Sequence, residues 1–104
     1  MATFQLLGLT CYETTSGPGA DQVQIFFKNE VIFYDGDMKK GDEWELGDSR
    51  GFTGSEKVWV RELDALSDPD LIGSFFVNAA DPGEQTAVLT GDDSHYDLRY
   101  RVDS

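Results

Sequence analysis

The residues best suited to chemistry are carboxylates that crowd one short stretch, with Glu62, Asp64, Asp68 and Asp70 close together. Hard divalent cations bind several carboxylate and carbonyl oxygens on a flexible loop, and calcium takes roughly 6–8 of them. A strand that ends in Glu62-x-Asp64, followed by a loop with Asp68 and Asp70, can direct four carboxylates into one small volume. The spacing therefore predicts a divalent-cation site. The alternative is a solvated acidic loop in which aspartate and proline only make turns.

The charge of the whole chain supports a cation. Twenty acids stand against eight bases, which gives a net charge of −12 over 104 residues, whereas solubility needs a magnitude of only about 2–8. Nucleic acid and bare anionic membranes would repel such a chain. From Glu62 to Asp97 there are nine acids and no lysine or arginine. Like charges this close favour a bound cation, whereas a surface adapted to salt would spread its carboxylates.

The elements that must position these acids are short strands. Eleven glycines separate runs of β-branched and aromatic residues, a pattern typical of all-β domains. Alternation places Val23, Ile25 and Phe27 on one face of a strand. We predict an all-β fold, an antiparallel two-sheet β-sandwich of about eight strands, as a single domain over residues 1–104. The predicted strands are Thr3–Tyr12, Asp21–Lys28, Val31–Tyr34, Asp42–Leu46, Lys57–Leu63, Leu71–Asn78, Thr86–Thr90 and His95–Val102.

The order of these strands predicts which loops meet. In an antiparallel sandwich successive connections alternate between the two ends. Four predicted connections then share one end, namely Glu13–Ala20, Asp35–Gly41, Asp64–Asp70 and Gly91–Ser94. The acids are concentrated there, as a metal site requires. The predicted metal ligands are Glu62, Asp64, Asp68, Asp70, Asp37, Asp35 and Asp21.

The acidic stretch also resembles a known family. Glu62, Asp64 and Asp70, followed by Leu71-Ile72-Gly73, are similar to the third calcium loop of the synaptotagmin-like C2 domain, a calcium- and lipid-binding β-sandwich. Glutamate stands at the first position, where the family usually has aspartate, and Asp68 is additional. Asp21 resembles the aspartate of the family's first loop, and Asp35-Gly-Asp37 has the residue types of its second. The resemblance implies a C2-like fold, Ca²⁺ as the cofactor and phospholipid as a candidate partner.

Several functions are compatible with these patterns. The leading prediction is a calcium-binding module, and no enzyme, whose acidic loops control stability and partner binding or self-association with further copies. Phospholipid binding, carbohydrate binding and a structural shell or fibre subunit remain as alternatives. Four aromatic residues could stack on sugars, but their alternation with apolar neighbours favours packing between the sheets. These residues are Trp44, Trp59, Tyr34 and Tyr100.

The remaining single residues are expected to be structural. Cys11 is the only cysteine, so it can form neither an internal disulfide nor a cysteine metal site, and we expect a buried thiol. The only histidine, His95, is expected on the surface. Neither a signal peptide nor a membrane-spanning run is visible, so we expect a cytoplasmic protein or one exported by a non-classical route.

Overall fold

A computed structural model describes residues 1–15, 19–63 and 69–104, apart from the side chain of Asp35. Nearly all regular structure in these ranges is strand, and a single 3₁₀ turn at Gly91–Asp93 precedes the last strand. No helix in the described part of the chain has the length and apolar content to cross a bilayer. The strands are β1 (Ala2–Glu13), β2 (Asp21–Phe27), β3 (Glu30–Met38), β4 (Glu43–Glu45), β5 (Ser49–Phe52), β6 (Ser55–Glu62), β7 (Asp70–Asn78), β8 (Gly83–Leu89) and β9 (His95–Asp103).

The strands form two antiparallel sheets. The four-stranded sheet has the order β3-β2-β6-β7, and the five-stranded sheet has the order β4-β1-β9-β8, with β5 also paired to β1. At one flank of the sandwich β3 lies beside β4, where the ring centroids of Phe33 and Trp44 are 6.1 Å apart. At the other flank β7 lies beside β8. The predicted antiparallel two-sheet sandwich is confirmed.

The core lies between the sheets, where the alternating residues of both inner faces meet. Val23, Ile25 and Phe27 of β2 are fully buried, as predicted. Phe27 stacks on Phe4 of the opposite sheet with ring centroids 4.9 Å apart, and Cys11 is buried as a free thiol. Burial of this apolar surface is the main force that holds the two sheets together.

Two strand predictions were wrong. The segment Gly47–Glu56 was predicted as one connection, but it contains β5, which pairs with the first residues of β1. Its sequence, Ser-Arg-Gly-Phe, has no strong strand preference, so the strand depends on its neighbour. The predicted connection Asp35–Gly41 begins inside β3, because Asp35 pairs with Val23 and Met38 with Asp21. Asp-Gly-Asp usually makes a turn, and here tertiary pairing overrides that preference.

Gly73 of β7 is placed by packing and not by an unusual backbone, since its φ angle lies outside the left-handed region. A Cβ atom at this position would be 2.7 Å from Cδ2 of Leu89. The glycine is therefore required because β7 and Leu89 of β8 pack closely across the flank.

Candidate metal site

Four connections meet at one end of the sandwich, as predicted. In the strand register Glu13 lies opposite His95, Asp21 opposite Met38, and Glu62 opposite Asp70. The β1–β2, β3–β4, β6–β7 and β8–β9 connections therefore begin and end together, and we call this the loop end. The opposite end, with the turns at residues 28–29, 53–54 and 79–82, is called the hairpin end.

Three predicted ligands lie in one row across the four-stranded sheet at the loop end. Asp35 of β3 lies opposite Val23, Val23 opposite Glu62, and Glu62 opposite Asp70. Residues directly opposite share a face, and their Cβ atoms are about 4.5–5.5 Å apart. Val23 is buried, so Glu62 and Asp70 are on the inward side, where Glu62 is only 9% exposed. Carboxylates directly opposite each other repel, which makes this row a place where a cation would stabilise the fold.

Asp21 is already used by the protein. Its carboxylate is 3% exposed. Oδ2 accepts a hydrogen bond of 2.9 Å from the Thr15 backbone N–H, and Oδ1 accepts one of 2.7 Å from the Thr15 hydroxyl. The Tyr96 hydroxyl donates a third hydrogen bond to Oδ2. An ionised carboxylate offers about four lone-pair positions, so Asp21 retains about one for a metal unless these bonds break.

The Asp21 cluster extends into the core through Tyr96. Burial, followed by the hydrogen bond to Asp21, holds the pKa of Tyr96 far above its ordinary value of 10. Burial also raises the pKa of the Cys11 thiol, which lies opposite Tyr96 in the sheet. Both groups are therefore neutral at pH 7. Tyr96 is a hydrogen-bond donor that holds the Asp21 carboxylate in place and connects β9 to the start of β2.

The β3–β4 connection brings cations to the acidic end. Lys39 Nζ lies 3.5 Å from Asp37 Oδ2, and Lys40 Nζ lies 2.9 Å from Glu13 Oε1. The Glu13 carboxylate raises the pKa of Lys40. These side chains are largely exposed, so the pairs add little stability. They do reduce the local negative charge, and a metal ion at Asp37 would compete with Lys39.

The described residues contain no group of three histidine, cysteine, aspartate or glutamate side chains that is ready to hold a metal ion. Two of the predicted ligands, Asp64 and Asp68, lie outside those residues, and so does the side chain of Asp35. The set of seven ligands therefore stays a prediction. What the described residues supply is the row of acids on β3, β6 and β7 and the anchored Asp21.

His95 lies at the start of β9 with its side chain about half exposed. Its Nε2 is 3.6 Å from Asp97 Oδ1, and its ring centroid is 4.9 Å from that of Tyr12. Oδ1 of Asp97 is buried and has no hydrogen-bond partner among the described residues. The expected surface position of His95 is confirmed.

The outer face of the four-stranded sheet carries a cluster of aromatic side chains. Phe26 and Trp59 stack in parallel with centroids 3.8 Å apart, and the Arg61 guanidinium lies 4.8 Å from the Phe26 centroid. Arg61 Nε donates a 2.8 Å hydrogen bond to Gln24 Oε1. Of the aromatic residues considered for sugar stacking, Tyr100 is buried, Trp44 and Trp59 are half-buried, and Tyr34 is exposed. The prediction that these four residues pack between the sheets is therefore confirmed for Tyr100 and Trp44 only.

Comparison with solved structures identifies the fold. A solved structure described as a C2 domain aligns with 100% of this chain, and the alignment covers 100% of that structure's own chain, with a TM-score of 0.66 and 12% identity. The calcium-bound C2A and C2B domains of extended synaptotagmin 2 match 98% of this chain over 44% of theirs, with a TM-score of 0.60 and 12% identity. Human GIVD cytosolic phospholipase A2 matches 97% of this chain over 16% of its own, with a TM-score of 0.59 and 9% identity. No protein-family model and no curated protein matches the sequence. The chain has a C2-like fold.

Two contributors to the site were missed in the sequence. Thr15 and Tyr96 hold Asp21, yet Tyr96 is separated from it by 75 positions. In the predicted strand His95–Val102, Tyr96 alternates with Leu98, Tyr100 and Val102 on one face, and a buried tyrosine needs a partner for its hydroxyl. That requirement, together with an aspartate at the start of a strand, was the available signal.

Proposed function

We propose that this chain is a calcium-binding β-sandwich module whose loop end coordinates Ca²⁺ and thereby controls its stability and its binding of a partner. One observation carries the proposal: Asp35, Glu62 and Asp70 occupy one row on three strands at the end where four connections meet. The C2-like fold is also the fold of extended synaptotagmin 2 C2 domains described with calcium bound.

The ligands would be oxygens, which suits calcium. Glu62 and Asp70 supply carboxylates from the inward side of the row, and Asp64 and Asp68 lie in the connection between them in sequence. Asp35 and Asp37 come from β3, and Asp21 has about one lone pair left. Calcium accepts roughly 6–8 oxygens in variable geometry, whereas magnesium requires a strict octahedron. A site assembled from several separate chain segments therefore favours calcium.

The consequence for stability follows from charge. Like charges directly opposite each other oppose strand pairing, so we expect Glu62 and Asp70 to destabilise the metal-free fold. A cation that binds only the folded state would shift the equilibrium toward it. Saturation at about 100 times the dissociation constant stabilises a protein by about 2.7 kcal/mol. Ordered acidic loops would then present a surface for a partner, and the partner would bind only in the presence of calcium.

The test is a thermal melt in chelator, in calcium and in magnesium at constant ionic strength, combined with calorimetric titration of calcium. We expect a melting temperature that rises in calcium well beyond the rise in magnesium. Asp70→Asn should weaken calcium binding about tenfold or more, while the metal-free protein becomes slightly more stable because the repulsion from Glu62 is relieved.

The matched control is Asp81→Asn, an exposed aspartate at the hairpin end. It removes the same charge and should leave calcium binding within about twofold of wild type. Equal melting curves in all three solutions would refute the proposed site. If Asp70→Asn and Asp81→Asn weakened calcium binding equally, calcium binding would depend only on the net charge of the protein.

A second candidate function, contact with phospholipid, is favoured by the outer face of the four-stranded sheet. Lys57 and Arg61 lie there beside Trp59 and the 71% exposed Phe76. None of the outward positions of β2, β6 and β7 is an aspartate or glutamate, although the chain has twenty acids. These outward residues are Gln22, Gln24, Phe26, Ser55, Lys57, Trp59, Arg61, Leu71, Ser74, Phe76 and Asn78.

Vesicle sedimentation tests this second function. Vesicles of phosphatidylcholine and phosphatidylserine should pellet the protein in calcium, and the double change Lys57→Ala, Arg61→Ala should release it. The control is Arg99→Ala, Arg101→Ala, which removes two cations from the outer face of the other sheet. Protein that stays in the supernatant, or equal loss in both double variants, would exclude this face as the lipid contact.

A further inference from the structure

The two flanks of the sandwich differ in how their edge strands are protected. An unpaired edge exposes backbone N–H and C=O groups, and proteins usually protect it with charges, bulges, proline or very short strands. At the first flank β3 has two register shifts against β2 and carries Glu30, Asp35 and Asp37. Its neighbour β4 has only three residues, two of which are glutamates. This flank is protected against pairing with another chain.

The second flank has no such protection along β8. Within the described residues β8 pairs with β9 alone, in a regular register over all seven residues from Gly83 to Leu89. From Gln85 to Leu89 it has no charged residue and no proline. Val88 points outward and is 60% exposed. Apart from Glu84 near its start, the edge is therefore regular in register, uncharged and apolar at one position, which is the form that pairs most readily with another strand.

The neighbouring edge at this flank is partly covered. A Cβ atom at Gly91 would be 2.2 Å from the carbonyl oxygen of Leu71 and 2.6 Å from that of Ile72, so the 3₁₀ turn lies directly against the start of β7. On β8, Leu89 packs against Gly73 of β7, but among the described residues the backbone edge of β8 pairs with β9 alone. If a strand joins this flank, β8 is the edge that accepts it.

We propose that β8 is a self-association surface, on which the β8 strand of a second copy pairs antiparallel around a two-fold axis. Identical edges related by a two-fold axis are self-complementary. The uncharged segment from Gln85 to Leu89 would bring no like charges together. The five-stranded sheet would then continue through β8 into the second copy. Because the other flank is protected, the assembly closes as a dimer and does not extend into a fibre.

The size and charge of the contact predict a weak dimer. A seven-residue edge is small compared with the interfaces of stable dimers, so we expect a dissociation constant on the order of tens of micromolar. Each copy carries a net charge of −12, and long-range repulsion opposes association at low salt. Salt screens this repulsion over about 8–10 Å at physiological ionic strength. The dimer should therefore strengthen as sodium chloride is raised.

The experiment is sedimentation velocity of the full chain in chelator, over a range of about 5–500 µM. Chelator separates this test from the calcium site. Val88→Lys should weaken dimerisation about tenfold or more, because a lysine on an edge opposes pairing. The control is Val31→Lys, which places the same charge on a 42% exposed valine of β3 at the protected flank. It should leave the dissociation constant within about twofold.

Both substitutions reduce the net negative charge equally, so a general charge effect would favour association in both. Circular dichroism melts verify that each variant is folded. Hydrogen exchange adds a local readout: alternate amides of β8 point away from β9, and these should become protected as the wild-type concentration rises. A wild-type protein that stays monomeric throughout, equal weakening by Val31→Lys, or protection of β7 in place of β8 would each overturn the proposal.

Discussion

The two ends of this sandwich are stabilised in different ways. At the hairpin end β2 and β3 are joined by the two-residue turn Lys28-Asn29, in which both residues have positive φ angles of 54° and 62°. This is the backbone twist that suits a tight hairpin. At the loop end the chain is held by buried side chains, with Asp21 accepting hydrogen bonds from Thr15 and Tyr96.

Single residues therefore matter more at the loop end than at the hairpin end. A tight turn depends on local backbone conformation, so each residue contributes a modest amount and most changes are tolerated. A buried carboxylate with three donors is different, because its loss removes the acceptor that all three donors share. The end that would bind metal is thus the end most sensitive to the loss of one side chain.

The largest expected effect is that of Asp21→Ala. Removal of the carboxylate takes away the acceptor of the Tyr96 hydroxyl and of two Thr15 donors near the core, which should lower the free energy of unfolding by about 3 kcal/mol. Urea unfolding in chelator measures this loss without any contribution from metal.

The hairpin end supplies the control for that change. Asn29→Gly also removes a side chain, but glycine readily adopts the positive φ of this position, so stability should stay within about 0.5 kcal/mol of wild type. If Asp21→Ala were as mild as Asn29→Gly, the buried cluster would contribute little and the contrast between the two ends would disappear.

A smaller effect should appear at alkaline pH. Because the pKa of Tyr96 is raised in the folded state, the native protein keeps a proton that the unfolded chain loses above its ordinary pKa of 10. The stabilisation is therefore complete below pH 10 and is lost as the pH rises, at about 1.4 kcal/mol per pH unit for one such group. The pKa of Cys11 is also raised above its ordinary value of 9, so Cys11 likewise contributes stability that is lost as the pH rises above about 9.

Tyr96→Phe sharpens this prediction. The variant should be less stable at pH 7, because Asp21 loses a donor, and its stability should fall less steeply between pH 10 and 11 than that of wild type. Tyr34→Phe, on the exposed face of β3, should keep the wild-type slope. An unchanged slope in Tyr96→Phe would assign the alkaline loss to other groups, such as Tyr100, whose pKa is also raised by burial.

Much of the fold could be predicted because the relevant signals are local. The alternation of Val23, Ile25 and Phe27 identifies a strand and its buried face, and glycines mark the turns between strands. The order of strands then implies which connections share an end. β5 was missed because its residues carry no such signal and become a strand only beside β1.

The candidate site was predictable in its location and less so in its members. The spacing of Glu62 and Asp70 predicted a cation site, and both residues lie at the loop end. Asp21 was recognised as a ligand candidate from its resemblance to a first-loop aspartate, but its bonds to Thr15 and Tyr96 depend on packing between sheets.

The strand faces, the acidic end and the concentration of carboxylates near Glu62 follow from the amino-acid sequence alone. That Asp35, Glu62 and Asp70 share one row, that Asp21 is buried, and that one flank keeps an unprotected edge follows only from the assembled sheets. The difference lies in the range of the interactions. Side-chain alternation is a property of neighbouring residues, whereas register, bulges and buried hydrogen bonds are set by strands that are distant in sequence.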